Sequence, residues 1–379
     1  MEARQVWTGM RPLLGTVIGV GIFGLPYAFA QVGFAIGLVA LVAVGFLSLM
    51  ALLLYSDLIL IRNGHGRYLS VVGHELNGVE KVLAGIAYFG AHYGALLAYV
   101  IVGGSFAHAV FSQFLGGSEL IYLLVFWLVG SLLAGGGLSF LVRLQGILFP
   151  LILLLVIIHA FVLAHHMSVS NLASFQPQNT VLSLGILLFA FSGLSAVPDM
   201  RDILKRNRKL MRRSLIVGMT VIGILYAVFS FLVVGVTGVG TSSEAITGLA
   251  PIIGPLAESL GSLLGLGIVM SAYLSTTVSL TNALVYDWRM GYLLAWGAVV
   301  ALPMIFVLAG ATNFISVIGL TGGILGSLLG IFLILAYERA RISHDIPKNT
   351  LSIPQWLVLL TFFMYSGMLL LTITELVQG

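Results

Sequence analysis

Long apolar stretches, each close to the length that crosses a lipid bilayer, alternate along this chain with short segments that carry the charges. About 20 apolar residues in a helix span the hydrocarbon core. Set against turn and charge signals, the stretches predict spans at 12–32, 34–61, 79–109, 119–138, 141–164, 180–200, 214–237, 260–285, 291–309, 313–337 and 354–375. Within them the apolar positions run on continuously instead of alternating with period two, which excludes a β-barrel and leaves helices to satisfy the backbone in lipid. The expected fold is an all-α polytopic membrane protein with about eleven transmembrane helices. Between spans, Tyr68 to Leu76 reads as a short helix along the inner face, and Ser242 to Glu258 as a short outer helix.

Composition agrees: 59% of residues are hydrophobic and 8% charged, where a soluble domain carries roughly 25% charged residues. The absence of cysteine excludes disulfides, thiolate metal sites and cysteine nucleophiles. Met1 to Arg11 shows no signal-peptide cleavage pattern, so the first apolar run is expected to stay as a span. With the N-terminus placed in the cytoplasm, all 17 Lys and Arg fall on the cytoplasmic side. Arg4 and Arg11 precede span one; Arg62, Arg67 and Lys81 flank the second connection; Arg143 follows span four. The run Arg201 to Arg213, then Arg289, then Arg339, Arg341 and Lys348 complete the set, while Glu119, Glu244 and Glu258 fall outside. This is the positive-inside pattern of a plasma (inner) membrane protein, with the C-terminus extracellular or periplasmic. It explains the basic balance without nucleic acid.

Two segments repeat one local design. Gly21 stands five residues before Pro26 in span one, and Gly193 five before Pro198 in span six. Glycine lowers the cost of leaving helical geometry, and proline removes a backbone donor. Each segment reads as a helix broken in mid-membrane. A single such segment is commonly a packing kink. Two of them five spans apart, crossing in opposite directions, mark an inverted-topology repeat: spans 1–5 (12–164) against spans 6–10 (180–337). The transporter core is then 1–338, and 339–379 supplies a cytoplasmic loop and span eleven. Unwound backbone at membrane depth is tolerated where it lines a cavity, and paired broken helices point to a transporter's midplane site.

Gly15-Thr-Val-Ile-Gly-Val-Gly-Ile-Phe-Gly-Leu-Pro-Tyr-Ala-Phe29 resembles the first span of the amino acid/auxin permease family, part of the amino acid–polyamine–organocation superfamily. Leu188-Phe-Ala-Phe-Ser-Gly-Leu-Ser-Ala-Val-Pro198 resembles its sixth span. The resemblance implies a fold like the bacterial leucine transporter, with ten core helices in two inverted halves, and amino acid transport driven by sodium or protons. It implies that the substrate's amino and carboxylate groups meet the backbone at Gly19, Val20, Gly21, Ile22 and Phe23, and at Ser192, Gly193, Leu194 and Ser195, with Phe189 as a gating aromatic. Ala272-Tyr-Leu-Ser-Thr276 resembles the family's sodium-binding run. The implied Na+ ligands are carbonyls at Gly15, Ile18 and Ala272 and hydroxyls at Ser275 and Thr276, oxygen donors suited to a hard cation. Span eight is rich in hydroxyls on its own account, although Ser and Thr also serve helix packing. No lysine lies in span five, where some proton-coupled relatives carry one; this leans toward sodium and leaves H+ as the alternative.

His92, an ionisable group near the middle of span three, is a candidate to line the pocket or relay a proton; the other reading is a neutral histidine bonded between helices. Tyr88 or Tyr93 is expected to reach the substrate carboxylate. Asp57 and Asp199, at the inner ends of spans two and six, read as gate ion-pair partners. No acid or base other than His92 sits at substrate depth, which favours a neutral amino acid. Small residues at Ala91, Gly193 and Ser195 leave space for a large apolar or aromatic side chain. Gly21→Val is expected to abolish binding and leave expression intact. No phosphate-binding Gly-x-x-x-x-Gly-Lys loop is present, and His74-Glu75 lacks the second histidine of a zinc protease. An ion-coupled symporter working by alternating access is therefore expected, not an enzyme, with no organic cofactor and no obligate protein partner. A channel, an amino acid sensor and an intramembrane enzyme are the rivals.

Overall fold

The computed structural model describes residues 2–61, 66–135, 162–176, 179–343 and 353–378. Every described span is helical. Span one is split into α1 (Glu2–Val17) and α2 (Gly21–Val32), bent by 65° at the break. Then come α3 (Phe34–Ile61), the short α4 (Tyr68–Glu75), α5 (Gly78–Leu115) and α6 (Glu119–Gly135). Span six is split into α7 (Thr180–Ala190) and α8 (Ala196–Ile203). They are followed by α9 (Arg208–Thr237), α10 (Pro255–Asp287), α11 (Tyr292–Leu308), α12 (Phe314–Ser343, with a π-helical turn at Thr321–Gly326) and α13 (Gln355–Gln378). The expected span 141–164 lies outside the described residues apart from 162–164, as does Arg143.

Among the described residues the expected spans come in the right order; 34–61 coincides with α3, and others differ at their margins. α1 starts ten residues before the first expected apolar position, and α9 six before, because charged amphipathic turns extend helices beyond their apolar runs. α4 matches the short helix expected at Tyr68 to Leu76. The outer segment differs: 241–249 is turns, Ala250–Ile253 is a single helical turn, and Glu258 already belongs to α10.

The breaks sit where the chain can leave the helix, yet the prolines are not their direct cause. The first falls at residues 18–20, ahead of Gly21; Pro26 lies inside α2. The second falls at 191–195, and Pro198 occupies the first turn of α8, where a missing N–H costs nothing. Both second halves begin on a residue in the right-handed helical region, Val20 and Ser195, without a side-chain cap.

Glycines set the distances between elements. A Cβ on Gly21 would lie 2.7 Å from the Ala190 Cα, so α2 and α7 touch backbone to backbone. One on Gly322 would lie 2.0 Å from the Gly185 carbonyl oxygen, which binds α7 to the π turn of α12 just as closely. A Cβ on Gly330 would fall 2.6 Å from the Tyr365 ring, so α13 is keyed into α12. Such close approach is how helices associate where lipid is as apolar as their side chains. The outward faces of α6, α11 and α13 carry Leu132, Leu293, Phe363 and Leu370, more than half exposed in the bare chain and suited to acyl chains.

Charges gather at the end shared by the α3 C-terminus and the α9 N-terminus. Arg208 forms a two-pronged bond with Asp57, Nε to Oδ1 at 3.0 Å and a terminal nitrogen to Oδ2 at 2.9 Å. Arg339 clasps Glu80 in the same manner, and Glu80 also closes the capping box of α5 with Asn77. The Asp57 side chain is 2% exposed and Arg208 36%. Removing the arginine strands a buried carboxylate, whereas removing the carboxylate leaves a guanidinium able to reach solvent. Arg208→Ala should therefore cost about 3 kcal/mol, the lower end for a broken buried pair. Asp57→Asn should cost less, and thermal unfolding in detergent checks that order.

Candidate functional site

A cavity of roughly 270 Å³ opens between the two breaks. Its wall comes from α1 and the first break (Gly15, Thr16, Val17, Gly19, Val20, Gly21) and from the second (Leu188, Phe189, Phe191 to Ser195). α5 contributes Ala91, His92, Ala95 and Tyr99, and α10 contributes Ala272, Ser275, Thr276, Ser279 and Asn282. Ser48, Ala51 and Leu52 of α3, Thr321 and Leu329 of α12, and Tyr365 of α13 add to it, with Arg67 and Asp199.

The breaks interlock. Gly21 makes room for Ala190, the last residue of α7; Gly193 makes room for Val17, the last residue of α1, whose methyl would sit 2.8 Å from an added Cβ. Tight local bonds flank each gap: Gly19 N–H to Val17 O (2.9 Å) and Phe23 N–H to Val20 O (3.1 Å) in the first, Ser192 N–H to Phe189 O (3.1 Å) and Ala196 N–H to Gly193 O (3.1 Å) in the second. The Ser192 hydroxyl donates back to Leu188 O at 3.1 Å. Helix starts of partial positive charge and helix ends of partial negative charge thus converge on one space, suited to a zwitterion.

Across the cavity from the first break stands α10. A Cβ on Gly19 would lie 3.8 Å from the Ala272 Cβ, so the last turn of α1 faces the Ala272, Ser275, Thr276 surface with a gap of atomic size. Tyr99 lines the same cavity from α5. Donors here are carbonyls and hydroxyls; among the described residues no group of three His, Cys, Asp or Glu side chains is placed to hold a metal. Neutral oxygens fit a monovalent hard cation better than a divalent one, which calls for carboxylates.

The residues singled out from sequence divide into two groups. Gly19, Val20, Gly21, Phe189, Ser192, Gly193, Leu194, Ser195, His92, Gly15, Ala272, Ser275 and Thr276 all line the cavity. Ile18, Ile22, Phe23 and Tyr88 are not among its lining residues. The side chains of Ile18, Ile22 and Phe23 are buried, and Phe23 packs edge-on against Phe106 at 4.9 Å. Tyr88 lies one turn below His92 on the same stripe of α5, but Tyr68 of α4 stacks on it at 5.7 Å and covers it. Tyr93 turns to the Ala298 carbonyl at 3.4 Å. The tyrosine that reaches the cavity from α5 is Tyr99, and its spacing of seven from His92 was the available signal. Thr321 and Tyr365 had none, because a π turn and a helix beyond the core bring them there.

His92 Nδ1 lies 2.8 Å from the Tyr88 carbonyl oxygen. A carbonyl only accepts, so Nδ1 carries the hydrogen and the neutral ring keeps its lone pair on Nε2. Below it the cavity narrows to Arg67, which donates to the Ser279 hydroxyl at 3.1 Å and stands 3.9 Å from Asp199. Asp57, turned instead to Arg208, takes no part in this wall.

The packing changes the expectation for Gly21. Any side chain there meets Ala190 backbone, so Gly21→Val should reduce the yield of folded protein as well as activity. Gly19→Ala has space for its methyl and should fold like the native chain while narrowing the gap to α10. Size-exclusion profiles and melting temperatures of the two variants distinguish these outcomes.

A family model described as transmembrane amino acid transporter protein matches residues 3–378. The putative sodium-coupled neutral amino acid transporter 11 of Danio rerio is 29% identical over 107 residues, 27% of this chain and 23% of that protein. The matched stretch is thus under a quarter of that curated relative. Among solved structures, MhsT in complex with L-phenylalanine superposes with a TM-score of 0.65 at 13% identity, covering 98% of this chain and 97% of that one. A nucleobase-cation-symport-1 family transporter, closed with bromovinylhydantoin bound, gives 0.68 at 11% identity over 90% and 80%. A manganese transporter of Eremococcus coleocola gives 0.66 at 12% identity over 98% and 85%. At these identities the likeness shows the fold, shared by proteins of unlike cargo. The all-helical fold with paired breaks and a family match along nearly its whole length together make this chain an integral membrane protein of the transmembrane amino acid transporter family.

Proposed function

We propose that the protein is a sodium-coupled symporter for a neutral L-amino acid, working by alternating access. The observation that carries this reading is a single cavity joining both helix breaks to the Ser275, Thr276 surface of α10. The substrate carboxylate meets the uncapped start of α2, and the ammonium meets helix-end carbonyls. Na+ lies between the last turn of α1, with Gly15 and Ile18, and Ala272, Ser275 and Thr276. Tyr99 takes the part expected of Tyr88 or Tyr93. The sodium-coupled neutral amino acid transporter similar to part of this chain supports the coupling ion and the substrate class.

A second reading, proton coupling, draws on His92, whose ring stands in the cavity wall with Nδ1 tied and Nε2 available. The basic residues gathered at one end support a cytoplasmic N-terminus in the plasma (inner) membrane and a C-terminus on the outer side. The two inverted repeats, 12–164 and 180–337, remain the proposed unit of movement.

Purified protein in proteoliposomes should take up a labelled mixture of neutral L-amino acids under an inward sodium gradient, and Thr276→Ala should lower that uptake at least tenfold. Uptake driven by a proton gradient and indifferent to Thr276→Ala would discard the sodium site and bring His92 forward. Absence of uptake under both gradients would sink the transport reading.

Arg67, Asp199 and Ser279 close the inner mouth by exposed contacts, and an exposed ion pair contributes at most about 1 kcal/mol. The chain has no native cysteine, so Asn282→Cys is a clean reporter of that mouth. Arg67→Ala should raise its labelling by a membrane-impermeant maleimide applied inside by up to about fivefold.

A further inference from the structure

One buried hydroxyl touches both breaks. Tyr226, on α9, is fully buried, and its oxygen lies 2.7 Å from the Val17 carbonyl oxygen and 3.0 Å from the Ala190 carbonyl oxygen. Val17 ends α1 and Ala190 ends α7, so these are the last carbonyls of the two first halves. Such carbonyls lose their helical partners at a break; the Val17 carbonyl accepts the Gly19 N–H at 2.9 Å within the break, and Tyr226 offers a donor to both. A phenol has a single hydrogen, so Tyr226 can serve one carbonyl fully or divide it between two. Its ring rests 5.3 Å from Phe191, the first residue of the second break.

We infer that Tyr226 is a positioning residue for transport. Its hydroxyl fastens α1 to α7 while the site is assembled, and when α1 swings away it keeps its hydrogen on Ala190. The inference rests on the alternating-access reading above. No other described side chain is seen bonding to both helix ends, and the contact lies behind the cavity wall, so it acts on the substrate through the breaks. Two features mark it as more than core filling. The hydroxyl joins two elements that belong to opposite halves of the expected repeat, and it does so from a third helix. The shorter bond goes to α1, the half-helix whose N-terminal end is otherwise tied to α9 by exposed pairs, Glu2 with Arg213 and, at 3.8 Å, with Lys209, and by the Ser214 hydroxyl, which donates to the Val6 carbonyl at 3.2 Å. Losing the hydroxyl should release α1 while the α7 packing on Gly185 and Gly322 stays.

The test uses the full chain in proteoliposomes with Asn282→Cys as reporter and Ala134→Cys, buried between α6 and α10, as control. Tyr226→Phe keeps the ring and removes the donor. It should raise labelling of Asn282→Cys from the inside by about two- to tenfold, the population shift a single hydrogen bond can bring, and leave Ala134→Cys unchanged. Replacing Tyr226 by 4-aminophenylalanine supplies two hydrogens for the two carbonyls and should return labelling to the native level or below. Unchanged labelling in Tyr226→Phe would overturn the inference, as would an equal rise at both reporters, which means general loosening. If Tyr226→Phe does not fold, the amino variant decides: labelling above native overturns the inference, and native or lower labelling supports it. Labelling reports the position of α1 without requiring uptake, so failure of the transport reading in the flux assay is separately visible.

Discussion

Two lengths of unwound backbone in the middle of a membrane protein are tolerable here because each fills the space left by the other. Gly21 accepts Ala190 and Gly193 accepts Val17, a reciprocal fit in which the glycine of one break seats the helix end of the other. Neither glycine can take a side chain without moving the opposite segment. The breaks therefore behave as one unit, and the cavity, the helix-end charges and the gap to α10 all inherit their geometry from it.

The contacts around that unit are graded. α7 meets α12 through backbone at Gly185 and Gly322, and α2 meets α7 through Gly21; these are close-packed and have no soft side chain to yield. Towards the Arg67 mouth, polar and partly exposed ties join the packing: Arg67 with Asp199, and Glu2 with Lys209 and Arg213. Exposed pairs of this sort hold weakly, whereas close-packed interiors resist deformation. On the alternating-access reading proposed above, a molecule built so would open at its polar end by turning α1 about the break. α4 stands in the same region, with Tyr68 bonded to the Leu329 carbonyl at 2.7 Å and stacked on Tyr88.

Much of this was legible in residue order. Apolar runs and basic connections gave the spans because hydropathy and charge act over many residues at once. The glycine–proline pairs located both breaks, since those two segments share one five-residue spacing of a permissive residue and a lost donor in oppositely directed spans. The helix starts near Glu2 and Arg208 were not legible, because a charged amphipathic turn carries no apolar signal. Tyr88 illustrates a different limit. Its helical phase matched that of His92, and only the arrival of Tyr68 from another helix removed it from the cavity. Thr321 and Tyr365 were hidden for the same reason, brought in by a π turn and by the seating of α13 against Gly330. Residues reached through local periodicity could be found; residues placed by long-range packing could not.

The chemistry of the wall bears on what the cavity can hold. Its solved counterparts bind an amino acid, a hydantoin and, by name, manganese, so the fold does not select the cargo. Selection must come from side chains, and around this cavity they are small, aliphatic, aromatic or hydroxylated, with His92 as the one imidazole among the described lining residues. The charged pair that borders it, Arg67 with Asp199, sits at the mouth and is already mutually neutralised. A cationic or anionic side chain would be desolvated there without a partner, at a cost of several kcal/mol. A zwitterion whose two charges are answered by helix starts and helix ends would not. The same reasoning applies to the ion, because carbonyls and hydroxyls lacking a carboxylate can offset one positive charge far more readily than two.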